Sequence, residues 1–127
     1  MSELRFTVDH EWLRVDQDGL ITVGVTHFAQ DALGDVVFVQ LPEAGDYEQG
    51  AEVAVLESVK AASSIVMPMA GEVIAVNATL EETPELVNQA PLTEGWFFRM
   101  RAADMSAFDS LMDESAYARF LTATADA

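Results

Sequence analysis

Apolar and polar positions alternate along most of the chain in short segments bounded by turn-forming residues, a pattern typical of a mainly β protein. Residues 20–25 predict a strand, and residues 11–15 predict its hairpin partner. The segments 35–41 and 96–101 are rich in β-branched and aromatic residues and predict two further strands. The segment Pro42–Asp46 predicts a loop. We therefore expect a body built from β-sheet.

Helical signals are short in the first part of the chain. Thr26 is a suitable cap for a helix over residues 27–33, which Gly34 can end. The dipeptide Thr83–Pro84 predicts the start of a second short helix that runs through Asn88, because proline is favoured at the first helical position.

From Asp104 onward the spacing of the apolar residues becomes helical. The residues that follow this spacing are Phe108, Leu111, Met112, Tyr117, Phe120 and Leu121. Ser106, with Asp109 three positions later, resembles a capping arrangement. We expect one or two helices within about residues 104–122, packed on the β body.

The middle of the chain contains a weak internal repeat. Residues 50–55 and 71–76 are each a glycine turn followed by a β-branched strand, which suits a small sandwich. Between them, residues 56–66 predict a strand, a tip of small residues and a second strand. We predict a hairpin over about 52–67 within one domain that covers residues 1–127. The aromatic residues expected in the core are Trp12, Phe38, Trp96 and Phe97.

Composition excludes several classes of function. The chain has no cysteine, so it has no disulfide, no thiolate metal site and no cysteine nucleophile. Its two histidines, His10 and His27, are too few for a site with several imidazole ligands, and we expect them to pack or face solvent rather than bind a metal. A combination of nucleophile, base and orienting residue is not visible among the many acids, which argues against an enzyme.

The formal net charge of −16 disfavours nucleic acids and anionic membrane surfaces as partners. It can steer the chain toward basic surfaces on partners or serve only solubility, and the sequence leaves both open. No apolar run approaches the roughly 20 residues of a membrane helix. The first residues have the features of neither a signal peptide nor a transit peptide, so we expect a cytoplasmic protein.

Lys60 is the only lysine, and the other five basic residues are arginines. The guanidinium of arginine stays protonated and is not acylated under ordinary conditions. A reaction that modifies a side-chain amine therefore has only Lys60 as its possible site. Composition alone leaves open a second interpretation, in which a preference for arginine has left Lys60 as an ordinary surface charge.

The surroundings of Lys60 favour a carrier function. A lysine that carries a swinging group has to be exposed, has to sit on a stiff support and needs small neighbours. The tip of a hairpin meets the first two needs, and residues 61–64, all alanine or serine, meet the third. Glu57 and Ser58 add a charge and a hydroxyl that a modifying enzyme can recognise.

The segment Glu57-Ser58-Val59-Lys60-Ala61 resembles the lipoyl-attachment signature of the glycine cleavage system H-protein family. The resemblance covers nearly the whole chain, since further blocks occur in the same order as in the family. These blocks are His10-Glu11-Trp12, Gly24-Val25-Thr26-His27-Phe28-Ala29-Gln30, Leu33 to Val39, Leu41-Pro42-Glu43, Pro68, Gly71-Glu72-Val73, Val76-Asn77, Pro84 to Asn88, Pro91 and Gly95-Trp96.

The resemblance implies a lipoyl/biotinyl barrel-sandwich hybrid fold with short helices and a C-terminal helical segment. It implies lipoate in amide linkage on Lys60, as N6-lipoyllysine, on a carrier with no active site of its own. The arm would take an aminomethyl group from a pyridoxal-phosphate glycine decarboxylase to an aminomethyltransferase, and dihydrolipoamide dehydrogenase would reoxidise it. A lipoate ligase or transferase would attach the arm.

The resemblance also implies a role for Glu11, because the glutamate of the His-Glu-Trp motif approaches the loaded arm in the family. We expect Glu11 to pair with the cationic aminomethyl group, and the alternative is an ordinary exposed strand acid. Three positions depart from the family pattern, namely Asp9, Ala32 and Ser64. They leave the lining of the arm's pocket open and do not touch the attachment motif.

Other functions compete with glycine cleavage. Biotin carriers present their lysine between methionines, whereas Lys60 lies between Val59 and Ala61, which disfavours biotin. An H-like relay protein, which hands lipoate to other complexes, is poorly separated from a glycine cleavage carrier by sequence. A plain acidic binding module would leave the lysine and its hairpin unexplained.

Overall fold

A computed structural model describes residues 4–16 and 19–125, which form nine strands and five helices. The strands are β1 Leu4–Phe6, β2 Glu11–Val15, β3 Ile21–Val25, β4 Val36–Gln40, β5 Gly45–Tyr47, β6 Glu52–Ser58, β7 Ala62–Val66, β8 Gly71–Val76 and β9 Phe98–Ala102. The helices are α1 His27–Leu33, α2 Thr79–Glu82, α3 Leu86–Gln89, α4 Ser106–Asp109 and α5 Glu114–Ala125. The predicted mainly β class is confirmed. Across the described ranges, every helix is too short or too polar to cross a membrane.

The strands form two antiparallel sheets. The larger sheet has six strands in the order β1-β2-β3-β9-β8-β5, and the smaller has three in the order β4-β6-β7. The two copies of the sequence repeat lie in different sheets, as β6 and β8. The hairpin that carries Lys60 therefore belongs to the smaller sheet, where β6 is the central strand.

The main hydrophobic core joins the two sheets. Strands β3 and β9 of the larger sheet contribute Val23 and Phe98, and β6 of the smaller sheet contributes Ala54 and Leu56 from alternate positions. These side chains belong to one buried cluster, as expected where the inner faces of two sheets pack together. Each sheet consequently fixes the position of the other, and with it the base of the Lys60 hairpin.

A separate aromatic cluster holds the C-terminal helix α5 against β1. Phe6 stacks on Tyr117 with ring centroids 4.5 Å apart, and Trp12 is fully buried in the same cluster. Phe6 also exchanges backbone hydrogen bonds of 2.8 and 3.2 Å with Met112. Trp96, expected in the core, is only half-buried against this cluster. Aromatic stacking adds to the stabilisation from apolar burial, so α5 is anchored at the β1 edge.

Several predicted boundaries were wrong. The predicted loop Pro42–Asp46 ends early, because Gly45 and Asp46 belong to strand β5, which pairs with Gly71–Val73 of β8. The helix predicted from Thr83–Pro84 begins only at Leu86, after a turn closed by the Leu86 N–H and the Thr83 carbonyl oxygen. Helix α2 was missed because four residues show no helical period.

The cap of α4 also differs from the prediction. Asp104 accepts hydrogen bonds from the backbone N–H and the hydroxyl of Ser106, at 2.9 and 2.8 Å. The capping carboxylate therefore lies two residues before Ser106, and no bond joins Ser106 to Asp109 in the predicted manner among the described contacts.

Candidate functional site

The tip of the β6–β7 hairpin presents Lys60 to solvent. The Ser58 hydroxyl donates to the Ala61 carbonyl oxygen at 3.1 Å and accepts from the N–H groups of Lys60 and Ala61, at 3.2 and 3.1 Å. The Ser58 N–H also donates to the Ala61 carbonyl oxygen, at 2.8 Å. Because one hydroxyl satisfies three backbone groups, the turn beneath Lys60 is ordered while the lysine side chain stays exposed.

A second support of the tip comes from the turn that ends α1. The Val59 N–H donates to the Asp35 carbonyl oxygen at 3.0 Å. Gly34 has a φ of 79° and a ψ of −157°, a combination that is essentially restricted to glycine. A Cβ atom on Gly34 would lie 3.3 Å from Cε of Lys60. Glycine therefore makes the turn possible and leaves room for the stem of Lys60.

Asn88 is a residue of this site that the sequence analysis did not single out. Its side-chain amide donates to the Gly34 carbonyl oxygen at 2.8 Å and to the Gln30 side chain at 3.0 Å, and it accepts from the Val36 N–H at 2.8 Å. These bonds tie α3 to both sides of the Gly34 turn. Its only signal was membership of the block from Pro84 to Asn88, because its partners lie between 52 and 58 residues away.

Exposed apolar side chains lie beside the hairpin. The register of β4 shifts between Val36 and Phe38, and Val37 and Phe38 both face solvent, with 56% and 46% exposed. In a regular strand one of two consecutive residues would face the core. The prediction that Phe38 is core was therefore wrong, because the bulge interrupts the alternation. Phe38 pairs with Glu57 of β6, and Val59 at the tip is exposed as well.

Glu11 is buried, with only 1% of its surface exposed. One carboxyl oxygen accepts from the Val66 N–H at 3.0 Å, and the other accepts from the Thr7 hydroxyl at 3.4 Å. The Thr7 hydroxyl in turn accepts from the Glu11 N–H at 3.2 Å. The alternative of an ordinary exposed strand acid is therefore wrong, because the carboxyl links β2 of the larger sheet to β7 of the smaller.

Burial has a direct electrostatic consequence for Glu11. It raises the pKa of Glu11 to about 8, against the opposing effect of the hydrogen bond from Val66 and with a further increase from the charge of Asp9. The cause is the loss of water around the ionised form. Glu11 is therefore mainly protonated at neutral pH, and a cation placed beside it would favour its ionisation.

A cleft of about 250 Å³ opens beside the two hydrogen-bond partners of the Glu11 carboxyl, and Glu11 itself is buried behind its wall. Its lining includes Thr7 and Val66, the two residues that hydrogen-bond the Glu11 carboxyl. Apolar side chains, among them Met67 and Leu111, make up much of the remaining wall, and Asp9 adds a carboxylate. The cleft can therefore accept an apolar group that carries a positive charge at one end.

Lys60 and Glu11 do not touch in the part of the chain that the structure describes. Val66 lies six positions after Lys60, which corresponds to roughly 20 Å at 3.3 Å per strand residue. Only an extended group attached to Lys60 and directed along β7 could join the two. Ser64, one of the three departures from the family pattern, lies along this path. Its hydroxyl donates to the Glu52 carboxylate at 2.9 Å and is therefore hydrogen-bonded within the hairpin.

The other residues singled out from the sequence lie on or next to α1 and β2. Ala32 is exposed on α1, and Asp9 is exposed in the turn before Glu11. His10 has a φ of 64° and lies 2.8 Å from the Tyr117 hydroxyl through Nδ1, and burial lowers the pKa of its ring. His27 contacts Gln30 at 3.1 Å. Within residues 4–16 and 19–125, no three acidic or imidazole side chains are placed to hold a metal ion.

Comparison with known proteins gives concordant results. The family model described as Glycine cleavage H-protein matches residues 4–124. The glycine cleavage system H protein 1 of Pseudomonas aeruginosa is 67% identical over 127 residues, and that of Pseudomonas putida is 61% identical, each over the full length of both chains. The crystal structure of a glycine cleavage system H protein from Mycobacterium marinum aligns with a TM-score of 0.85 at 32% identity, covering 94% of this chain and 97% of the other.

Proposed function

Because this chain belongs to the glycine cleavage H-protein family, we propose that Lys60 is the residue that bears its lipoyl arm. The chain has the barrel-sandwich fold of that family and is a lipoyl carrier of the glycine cleavage system. The observation that carries the assignment of Lys60 is the position of the only lysine at the exposed tip of a hairpin. The names of the relatives favour glycine cleavage over the relay of lipoate to other complexes.

The residues around Lys60 fit an amide-linked arm. Ser58 fixes the turn through three hydrogen bonds of its hydroxyl, and Gly34 leaves space beside the lysine stem. Val59 and Ala61, the two neighbours in sequence, are both exposed and have shorter side chains than lysine, so they leave the amine accessible. Lipoate supplies a dithiolane that accepts a carbon group and two electrons, chemistry that no standard side chain provides.

We further propose that the chain is non-catalytic and serves three enzymes in turn. They are the pyridoxal-phosphate glycine decarboxylase, the aminomethyltransferase and dihydrolipoamide dehydrogenase, and a lipoate ligase or transferase modifies Lys60. The family relationship supports these assignments, as does the absence of cysteine from the sequence, since no internal thiol competes for the arm. We place the chain with these enzymes in the cytoplasm.

The role of Lys60 is tested by moving the lysine. Lys60→Arg removes the only side-chain amine, and the double variant Lys60→Arg with Arg119→Lys restores one on the exposed face of α5. Each purified protein is incubated with lipoate ligase, lipoate and ATP, weighed by mass spectrometry and assayed with the three partner enzymes. We expect one lipoyl group on the wild type, none on either variant, and turnover of both variants at background. Lipoylation of the double variant, or turnover by Lys60→Arg, would contradict the assignment.

We also propose that Glu11 stabilises the loaded arm. The cleft beside Thr7 and Val66 offers apolar surface, and Glu11 can ionise when a cationic aminomethyl group arrives next to it. Hydrogen bonds to a charged group contribute about 1.5–3 kcal/mol, enough to slow the loss of the carried carbon. Below its pKa of about 8, Glu11 has to lose its proton before it can pair with the cation. The free energy of this deprotonation offsets part of the stabilisation of the loaded arm.

The test of Glu11 is the spontaneous decay of the loaded form. Glu11→Gln keeps a neutral acceptor for the Val66 N–H and removes the negative charge, so decay should be roughly tenfold faster. Glu43→Gln, at an exposed position, is the matched control and should decay at the wild-type rate. Equal decay rates of Glu11→Gln and wild type, both fully lipoylated, would remove Glu11 from this role and leave Lys60 unaffected.

A further inference from the structure

A groove between α1 and α5 lies outside the site described above. It has a volume of about 440 Å³, and much of its surface is apolar. Phe28 of α1 and Leu92 of the loop after α3 line it and are 41% and 44% exposed, and Tyr117 and Leu121 of α5 complete the apolar lining. An apolar groove with a polar rim marks an interaction site in soluble proteins.

The charges of this groove are all of one sign. Among the described residues, the charged side chains of its lining are Asp31 of α1 and Glu114 of α5, both exposed, and neither Lys nor Arg contributes. The formal net charge of the chain is −16. A potential of this kind attracts a basic partner and repels an acidic one.

The walls of the groove are fixed before anything binds. The Tyr117 hydroxyl lies 2.8 Å from Nδ1 of His10 and 2.8 Å from the Thr26 hydroxyl. Thr26 also caps α1 by accepting from the Ala29 N–H. Phe6 stacks on the Tyr117 ring from β1. A preformed groove lowers the cost of ordering on association.

The groove lies on the path to the attachment lysine. Helix α1 has seven residues, so it spans about 10 Å at 1.5 Å per residue. Its first turn contributes His27 and Phe28 to the groove, and it ends at Gly34, next to the stem of Lys60. A protein anchored in the groove is therefore held about one short helix away from the base of the arm.

Two other occupants fit the groove poorly. A second copy of this chain would bring another net charge of −16 and another acidic rim to the interface. The end of α5, residues 122–125, belongs to the helix that already forms one wall of the groove, so it does not occupy the groove. Both considerations leave a basic partner with large apolar side chains.

We propose that the groove between α1 and α5 docks a basic amphipathic segment of a partner enzyme of the glycine cleavage system. One or two large apolar side chains of that segment occupy the space between Phe28, Leu92 and Leu121, and its Lys or Arg residues face Asp31 and Glu114. Recognition of an apolar face by a groove follows the general helix-in-groove mode. The inference rests on the carrier function, because it assigns the groove to the enzymes that use the arm.

The test uses full-length lipoylated chain and kinetics with each of the three partner enzymes. Phe28→Ser and Leu92→Ser remove the apolar anchors, and Asp31→Lys reverses a charge on the exposed rim without touching the core. Ile74→Ser, at an exposed position on β8 outside the groove, is the matched control. For at least one enzyme, we expect the KM for the carrier to rise roughly tenfold in each groove variant, equivalent to about 1.4 kcal/mol, with kcat unchanged.

The charge variant adds a second criterion, because the KM increase of Asp31→Lys should shrink as salt rises while that of Phe28→Ser persists. Unchanged KM values with all three enzymes would overturn the proposal, and so would a wild-type dimer in sedimentation that Phe28→Ser dissociates. A failure of the carrier function would give a different result. The wild type itself would then lack a lipoyl group or support no turnover.

Discussion

Lys60 and Glu11, which we propose to lie at the two ends of one lipoyl arm, have opposite environments. Lys60 is exposed, and the hydrogen bonds of the Ser58 hydroxyl beneath it join residues only two or three positions apart. Glu11 is buried, and its partner Val66 lies 55 residues away. An attachment point needs access to several enzymes, whereas a carboxyl that holds a cation gains strength by exclusion from water. The two tasks therefore place opposite demands on the fold.

The two residues differ most in their effect on the pH dependence of stability. The pKa of Glu11 is about 8 in the folded chain, against an ordinary value of 4.5 for a glutamate carboxyl. Between these values the folded chain binds a proton that the unfolded chain has lost, so the free energy of unfolding falls as pH rises through this window. A shift of this size corresponds to roughly 4–5 kcal/mol. Glu11→Gln has no such proton, and it should gain several kcal/mol over wild type between pH 5 and pH 9.

Urea unfolding at pH 5 and pH 9 measures this gain. Glu57→Gln is the control from the other region, since it makes the same substitution at an exposed position beside the Lys60 tip. Parallel changes of the free energy of unfolding in wild type and Glu11→Gln would show that Glu11 is not held protonated by burial.

Gly34→Ala should disrupt the turn after α1 that supports the Lys60 tip. The φ of 79° with ψ of −157° costs a non-glycine residue about 1–3 kcal/mol, and the new Cβ would press on Cε of Lys60. We expect a stability loss of about 2 kcal/mol together with slower lipoylation, measured by urea unfolding and by intact mass over time.

Gly50→Ala separates these two effects. Gly50 also has a positive φ, of 84°, but a Cβ on it would meet nothing within 4 Å. It should lose stability and retain the wild-type rate of lipoylation. If Gly34→Ala were lipoylated as fast as Gly50→Ala, the turn after α1 would have no part in presenting Lys60.

Ser58→Ala should have the smallest effect of the three. It removes one hydroxyl with three hydrogen bonds, but the turn is at the surface, where water can replace them, so we expect a loss of about 1 kcal/mol. Ser63→Ala on the same hairpin, whose hydroxyl has no partner among the described residues, is the control and should leave the melting temperature unchanged. Equal melting temperatures for both variants would mean that the hydroxyl does not hold the tip.

The two regions also differ in how far sequence could predict them. The Lys60 tip follows from neighbouring residues, namely one lysine among small side chains between two β-branched segments. The cap of α1 by Thr26 is equally local and was predicted correctly. Local patterns were sufficient at these positions because the decisive hydrogen bonds join residues within four positions of one another.

Other features depend on contacts between distant segments and could not be predicted from local patterns. The burial of Glu11 requires β7 to lie beside β2, and the role of Asn88 requires α3 to meet the end of α1. Strand β5 exists only through its pairing with β8. The exposure of Phe38 results from a bulge in β4, which the apolar character of its side chain does not predict.

The central claim, that Lys60 bears the lipoyl arm, is tested most directly by the intact mass of the protein isolated from its own cells. Fragmentation then locates the modification along the chain. We expect one lipoyl amide per chain, attached to Lys60. A biotinyl mass, a lipoyl group elsewhere, or an unmodified lysine in cells with active lipoylation would contradict it.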